Sequence, residues 1–248
     1  MISRAGLNRN LSGLPFNIVE LGVGSGQQTE FIEKQLNAIG ISRYQILAYD
    51  KSSEQLALLK ERIIKGEISD RITPIQYDFD GKPLPVENKS IDLVYMAWVL
   101  HHLSHQQALF DEIARIIRKG ARLFMYQVTV EAMVNHPLDE YFPMKYEYDK
   151  RRYPSLSQLR KFFINAGFTF EEPHAIRGDD PKLINRTFLE GIETTSFDSA
   201  LKMIKDNEPL SFAKGVEQVR KEVEKAERNG QYRVYVHNRR KVFWGIKS

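Results

Sequence analysis

The run Glu20-Leu21-Gly22-Val23-Gly24-Ser25-Gly26 has the residue types and spacing best suited to chemistry in this chain. Glycines at alternate positions let backbone approach a ligand where side chains would collide. A β-rich segment, Asn17 to Leu21, leads into the run, and a helix-period stretch with Phe31, Ile32, Leu36 and Ile39 on one side leaves it. The helix N-terminus near Gln27 therefore offers N–H groups and partial positive charge to a carboxylate. Spacing separates the candidate ligands. A dinucleotide fingerprint needs glycine at its first, third and sixth places. Those places hold Gly22, Gly24 and Gln27, with Gly26 one residue early, which disfavours a nicotinamide cofactor.

Three more polar groups stand where later strands should end: Asp50, Asp78 beside Phe79, and the pair His101-His102. A histidine is suited to general-base work because its reference pKa, about 6.5, lies near neutral pH. Each group also has a purely structural reading. Glu20 would be an exposed strand end, Asp50 a helix cap, Asp78 a turn residue, and the histidines packing beside the next helix.

The elements that must position these groups alternate in type. Tyr44 to Tyr49 reads as a second strand, followed by a helix opened by a Ser52/Gln55 capping box. Arg71 to Gln76 is a third strand, leading into the loop Asp80-Gly81-Lys82-Pro83-Leu84-Pro85. Ile91 to Tyr95 is a fourth. A Ser104/Gln107 box then opens a helix closed by Lys119-Gly120, and Ala121 to Val128 is a fifth strand. Strands joined by single helices imply parallel crossovers. The expected fold is therefore α/β: a Rossmann-like, doubly wound, mostly parallel sheet with helices on both faces and a C-terminal helical insertion. Ligands of such sheets bind beyond the carboxyl ends of the strands, where strand order reverses. The polar groups above all follow strands and should converge on that rim.

The expected organisation is a ligand-binding core over residues 1–128, an aromatic lid or insertion over 129–154, and a C-terminal completion of the sheet over 155–248. Its closing part holds a helix at about 155–166, a strand near Phe168 to Ala175 and a helical insert at about 181–230. Phe212, Val216, Val219, Val223 and Ala226 trace one face of the last helix. Tyr232 to Val236 and Val242 to Ile246 read as either one bent strand or a hairpin around His237-Asn238-Arg239-Arg240.

The order Glu20-x-Gly-x-Gly-x-Gly, Asp50, Asp78-Phe79 and His101-His102-Leu103 resembles class I S-adenosyl-L-methionine (SAM)-dependent methyltransferases, in particular the type 11/type 25 group. The resemblance covers about Phe16 to Val128. It implies that Glu20 and the backbone of Gly22, Gly24 and Gly26 contact the methionine moiety of SAM. Asp50, with Lys51 beside it, would take the ribose hydroxyls, since a carboxylate accepts from two donors at once. Asp78 would accept from the adenine amine, Phe79 would cover the ring, and Tyr95-Met96-Ala97-Trp98 would run beside the methionine part. In many members cap helices precede the first motif, whereas about 16 residues precede it here. The aromatic segment, the helical insert or a partner subunit, as in a homodimer, would then have to cover the site.

On this reading the chain is an enzyme that methylates a small-molecule acceptor at O or N by in-line displacement, leaving S-adenosyl-L-homocysteine. His101 or His102 would remove a proton where the acceptor requires it. Trp98, Tyr141, Tyr146, Arg151 and Arg152 are the candidate acceptor contacts, the arginines suiting a carboxylate and the tyrosines an amine or planar group. The absence of cysteine excludes disulfides, cysteine-ligated zinc and thiol nucleophiles, and no metal site is expected. The segment Met1 to Asn17 does not read as a signal peptide, and the apolar run Ile91 to Leu100 is about half a membrane span, so a cytoplasmic protein without membrane association is expected. The net charge of +4 is uneven, with 12 Lys or Arg against 6 Asp or Glu in residues 201–248. That basic tail keeps a tRNA or rRNA methyltransferase as an alternative, although no RNA-binding module accompanies it. A non-catalytic SAM-binding protein on the same fold is the other.

Overall fold

Strand β1 (Phe16–Leu21) lies at the centre of a six-stranded sheet, paired in parallel with β2 (Tyr44–Asp50) on one side and β4 (Ile91–Ala97) on the other. Beyond them come β3 (Ile72–Gln76), parallel to β2, and β5 (Ile117–Gln127), parallel to β4. The sheet order is β3-β2-β1-β4-β5-β8, with β8 (Lys241–Ile246) at the end, so direction of winding reverses between β1 and β4. The computed structural model describes residues 15–134, 136–171, 182–196, 198–235 and 241–248.

Helices α1 (Gln27–Ala38), α2 (Ser53–Ile64) and α3 (Gln106–Ile116) make the crossovers. Ile32 and Leu36 of α1 and Leu56 and Leu59 of α2 join Ile18, Ile46, Leu93 and Phe124 in one core cluster. An aromatic set packs around α3 and α5 (Leu156–Asn165): the ring of Phe163 lies 5.1 Å from Phe110 and 5.3 Å from Phe170. Strand β4 is buried at six of its seven residues, as expected where helices cover both faces. Its one acid, Asp92, is satisfied by the Asn17 N–H at 2.9 Å and by an ion pair with Arg118.

Contacts divide the chain into two units. Unit 1 comprises residues 1–127, 157–174 and 242–248, and unit 2 comprises 128–156 and 175–241. Unit 2 is built from α4 (Lys145–Arg152), α6 (Arg186–Glu193), α7 (Ser199–Asn207) and α8 (Pro209–Asn229), with a two-stranded antiparallel sheet of β6 (Lys182–Leu183) and β7 (Val234–Tyr235). Helix α8 starts on a proline and stops at Gly230 in the left-handed conformation, the residues each helix end favours. Its five expected inward residues are all buried. Gly215 on the same face seats Phe142, whose ring atoms would lie 2.4 Å from an added Cβ.

Four local expectations are corrected. The helix after β4 opens at Gln106 without a side-chain cap, so Ser104/Gln107 forms no capping box. Instead the Asp80 carboxylate accepts from the Ser104 N–H at 2.9 Å and the His105 N–H at 2.9 Å, and a charged acceptor displaces the weaker hydroxyl. The Ser52 hydroxyl does accept from the Gln55 N–H at 3.2 Å, but its own N–H goes to Asp50 and the reciprocal half of that box is not made. Lys119-Gly120 does not end a helix. It lies within β5, where Ile91 pairs with Ile117 but Leu93 pairs with Arg122, and the excess residues bulge around Gly120 at φ +76°. The two C-terminal β-rich runs are neither a bent strand nor a hairpin: β7 pairs with β6, while β8 joins the main sheet. Glu171 bridges Trp244 of β8 and Phe168 bridges Lys247 just after it, both in antiparallel fashion, and residues 172–175 and 236–240 of these runs lie outside the described residues.

Candidate active site

The turn after β1 is held by its neighbours before any ligand is considered. The N–H groups of Gly22 and Val23 both donate to the Tyr49 carbonyl, at 2.8 and 3.1 Å. All three glycines are left-handed, with φ of +69°, +55° and +82° at Gly22, Gly24 and Gly26. Their surroundings differ sharply. A Cβ on Gly22 would fall 2.2 Å from Val99 Cγ2, and one on Gly26 would fall 2.6 Å from Leu59 Cδ1. At Gly24 the nearest atom is Gln55 Oε1 at 3.7 Å, so protein packing leaves this position open. Two glycines therefore serve close packing of the turn, and the middle one faces space.

Asp50, at the end of β2, controls that middle position. Its Oδ2 accepts from the Gly24 N–H at 2.8 Å and its Oδ1 from the Ser52 N–H at 2.9 Å. A carboxylate offers about four acceptor sites, so both oxygens can accept further donors. Helix capping belongs to Ser52, and Asp50 instead ties the glycine turn to the neighbouring strand. Helix α1 begins at Gly26 without a side-chain cap, which leaves its first N–H groups to other acceptors. Lys51 is exposed and its carbonyl accepts from Gln76 Nε2 at 3.3 Å.

Glu20 is 2% exposed, which removes its reading as an exposed strand end. Its Oε2 accepts from the Thr29 hydroxyl at 2.8 Å. Burial pushes its pKa up to about 8, against the lowering effect of that hydrogen bond, and Glu33 adds to the rise. On the neighbouring strand the Tyr95 hydroxyl donates to Gln28 Oε1 at 3.3 Å, and burial raises its pKa well above the usual phenol range. Thr29, Gln28 and Tyr95 thus join Glu20. Nothing in local sequence marks Gln28 and Thr29, which meet Glu20 and Tyr95 only when α1 crosses the end of the sheet.

After β3, Asp78 is exposed, accepts from the Asp80 N–H at 3.3 Å and lies 3.8 Å from Lys82 Nζ. Phe79 is buried. Asp80, in the loop between β3 and β4, holds the start of the segment after β4 through its bonds to Ser104 and His105. Burial opposes its ionisation, but those N–H groups outweigh burial and hold the carboxyl below its ordinary range. The Asp80-Gly81 pair was its only local signal. Gly81 is needed there, since a Cβ would fall 2.9 Å from His105 Nδ1.

At the end of β4, Ala97 is half-buried and Trp98 takes φ +60°, with its N–H donating to the Tyr126 carbonyl at 3.0 Å. A short 3₁₀ turn then carries Leu100, His101 and His102. His101 is buried, with Nδ1 3.5 Å from Gln127 Nε2, and its ring centroid lies 4.0 Å from that of exposed His102.

The remaining candidates belong to unit 2. Tyr141 is buried, and its hydroxyl donates to Glu222 at 2.5 Å and accepts from Arg233 at 3.4 Å. Arg152 pairs with Asp149 at 2.8 Å and donates to Ser199 Oγ at 2.9 Å. Tyr146 is half-buried and Arg151 exposed. Unit 1 therefore gathers Glu20, the glycines, Asp50, Lys51, Asp78, Phe79, Ala97, Trp98 and the histidines on its strand ends. Tyr141 and Arg152 are engaged in bonds within unit 2.

Residues 19–125 match the methyltransferase domain family. The demethylmenaquinone methyltransferase of Lactiplantibacillus plantarum is 23% identical over 171 residues, covering 61% of this chain and 70% of that protein. The ubiquinone/menaquinone biosynthesis C-methyltransferase UbiE of Chromobacterium violaceum is 20% identical over 179 residues, covering 65% and 70%. The crystal structure of YcgJ from Bacillus subtilis superposes with a TM-score of 0.59 at 15% identity, over 94% of this chain and 92% of that one. No helix among the described residues is long and apolar enough to cross a membrane. The strand order, the glycine turn with its acids and the match over residues 19–125 together identify a methyltransferase domain within this chain.

Proposed function

We propose that this chain binds SAM on the strand ends of unit 1 and methylates a small-molecule acceptor there. The observation that carries the reading is the open position at Gly24, bordered by the Asp50 carboxylate, between two glycines that packing fills. SAM, when bound, supplies a methyl group on a sulfonium that an acceptor atom displaces in line.

The chain's own residues have defined tasks. Asp50 accepts ribose hydroxyls on the lone pairs its two backbone bonds leave. Gly24 and the uncapped start of α1 admit the methionine carboxylate to backbone N–H groups. Glu20 and Ala97 border the methionine side, and Asp78 and Phe79 border the adenine. Alignment and water exclusion supply most of the rate in such displacements. A hydroxyl or ammonium acceptor needs a base, and His102, exposed beside buried His101, takes the proton. A carbon acceptor is the second reading, favoured by the names of the two quinone-pathway relatives.

Calorimetry with S-adenosylhomocysteine tests the assignment. Asp50→Ala should weaken binding by about 1.5–3 kcal/mol, the worth of charged hydrogen bonds. Unchanged affinity in the folded variant overturns the site. Transfer of a labelled methyl group to metabolites, followed by NMR of the product, separates O or N from carbon acceptors. Transfer to tRNA instead would overturn the small-molecule reading.

A further inference from the structure

The Asp80 carboxylate lies between two parts of the candidate site that come from different strands. On one side Asp80 belongs to the turn of Asp78 and Phe79: its own N–H donates to Asp78 Oδ1 at 3.3 Å, and Phe79 beside it is buried. On the other side it accepts from the N–H groups of Ser104 and His105, both at 2.9 Å, and stands 3.2 Å from His105 Nδ1. Ser104 follows His102 by two residues. The histidine turn is itself closed, by the His102 N–H on the Val99 carbonyl at 2.8 Å and the Leu103 N–H on the Leu100 carbonyl at 3.1 Å. Gln106, at the start of α3, donates to that same Leu100 carbonyl at 3.0 Å.

The loop after β3 is shaped around this contact. Gly81 is left-handed at φ +68°, and a Cβ there would fall 2.9 Å from His105 Nδ1. Further along, the Leu84 N–H donates to Glu112 at 2.6 Å and the Leu84 carbonyl accepts from Arg115 at 2.9 Å, which fastens the loop to the body of α3. A local side chain suffices to cap a helix, as Asn185 does for α6 by accepting from the Phe188 N–H at 3.0 Å. An acceptor 24 residues upstream adds what a local cap lacks, a charged link between two loops of one site.

We propose that Asp80 is a positioning residue: it ties the adenine end of the cofactor site to the histidine turn, so that a filled adenine subsite fixes His102 in place. This rests on the SAM site proposed for unit 1 and adds an order of events, cofactor before methyl acceptor. Adenine contacts at Asp78 and Phe79 favour the loop position in which Asp80 reaches Ser104 and His105. Coupling between two sites is reciprocal, so cutting the link also weakens the cofactor.

The test uses the full chain with S-adenosylhomocysteine and follows the ring-proton resonances of His102, assigned with His102→Gln. In the native chain the ligand should shift them. Asp80→Ala should bind S-adenosylhomocysteine about fivefold or more weakly and, at saturation, lose most of the His102 shift. Asp80→Asn keeps one carbonyl oxygen for the His105 N–H, so it should recover part of both effects, and it carries the test where the alanine variant does not fold. Asn185→Ala removes a cap in unit 2 and should alter neither affinity nor resonance. An unmoved His102 signal while S-adenosylhomocysteine binds overturns the coupling, and so does a full shift in the saturated Asp80 variants. Failure of the native chain to bind S-adenosylhomocysteine overturns the cofactor site itself, which is a different result.

Discussion

Two groups of acids, one in each unit, are satisfied in opposite ways. In unit 2, Lys145 is 1% exposed and pairs with Asp149 and with Asp198, the latter at 3.3 Å, while Arg152 takes the other oxygen of Asp149. Asp198 also caps α7 by accepting from the Ala200 N–H at 2.8 Å. Side chains there neutralise one another and join α4 to α7. In unit 1, Asp50 and Asp80 bond mainly to backbone, while Glu20 takes the Thr29 hydroxyl. Asp50 takes N–H groups of Gly24 and Ser52, and Asp80 those of Ser104 and His105. A carboxylate bonded to backbone positions a loop and keeps acceptor sites for something else, whereas one locked between two cations does not. The contrast separates carboxylates whose acceptor sites are used up from those that keep acceptor sites open.

That contrast can be broken most directly at Lys145. Lys145→Met should cost about 3–5 kcal/mol in denaturant unfolding, because buried Asp149 and half-buried Asp198 lose the ammonium they share and Asp149 keeps only Arg152. A loss below 1 kcal/mol would show that the cluster is not structural.

The next effect concerns pH. Glu20 carries a folded-state pKa of about 8 against an ordinary value near 4.5. Folding therefore favours its protonated form, so its contribution is full below about 4.5, declines as pH rises, and is lost once pH passes about 8. Relative to Glu20→Gln, the native chain should lose roughly 1.4 kcal/mol per pH unit across that window. Parallel stability–pH curves for the two proteins would refute a buried, protonated Glu20.

Within the turn, Gly22→Ala should destabilise by about 2–3 kcal/mol through strain and overlap with Val99. Gly24→Ala should cost only about 1 kcal/mol in thermal unfolding and should chiefly weaken S-adenosylhomocysteine binding. Equal stability losses would mean that Gly24 is as enclosed as its neighbours. Smallest of all, Asp78→Ala should shift stability by no more than about 0.5 kcal/mol, as for an exposed residue, and act on ligand affinity alone.

Local sequence carried much of this protein. The alternation of apolar strands with helix-period segments needs only neighbouring residues to be read, and it yielded the parallel core, the glycine turn and the acids closing β2 and β3. The inward face of α8 was equally legible, since a 3.6-residue period survives whatever the helix packs on. Tertiary structure decided the rest. The burial of Glu20, the capping of the α3 approach by Asp80, the bulge that puts Gly120 inside β5, and the parting of β7 from β8 all depend on residues distant in sequence. So did the roles of the three glycines: identical letters at alternate positions became two packing glycines and one open one only when Val99 and Leu59 arrived beside them. Backbone periodicity is a local property and survives in the sequence, but a pKa, a cap or an open space is set by whatever the fold brings alongside.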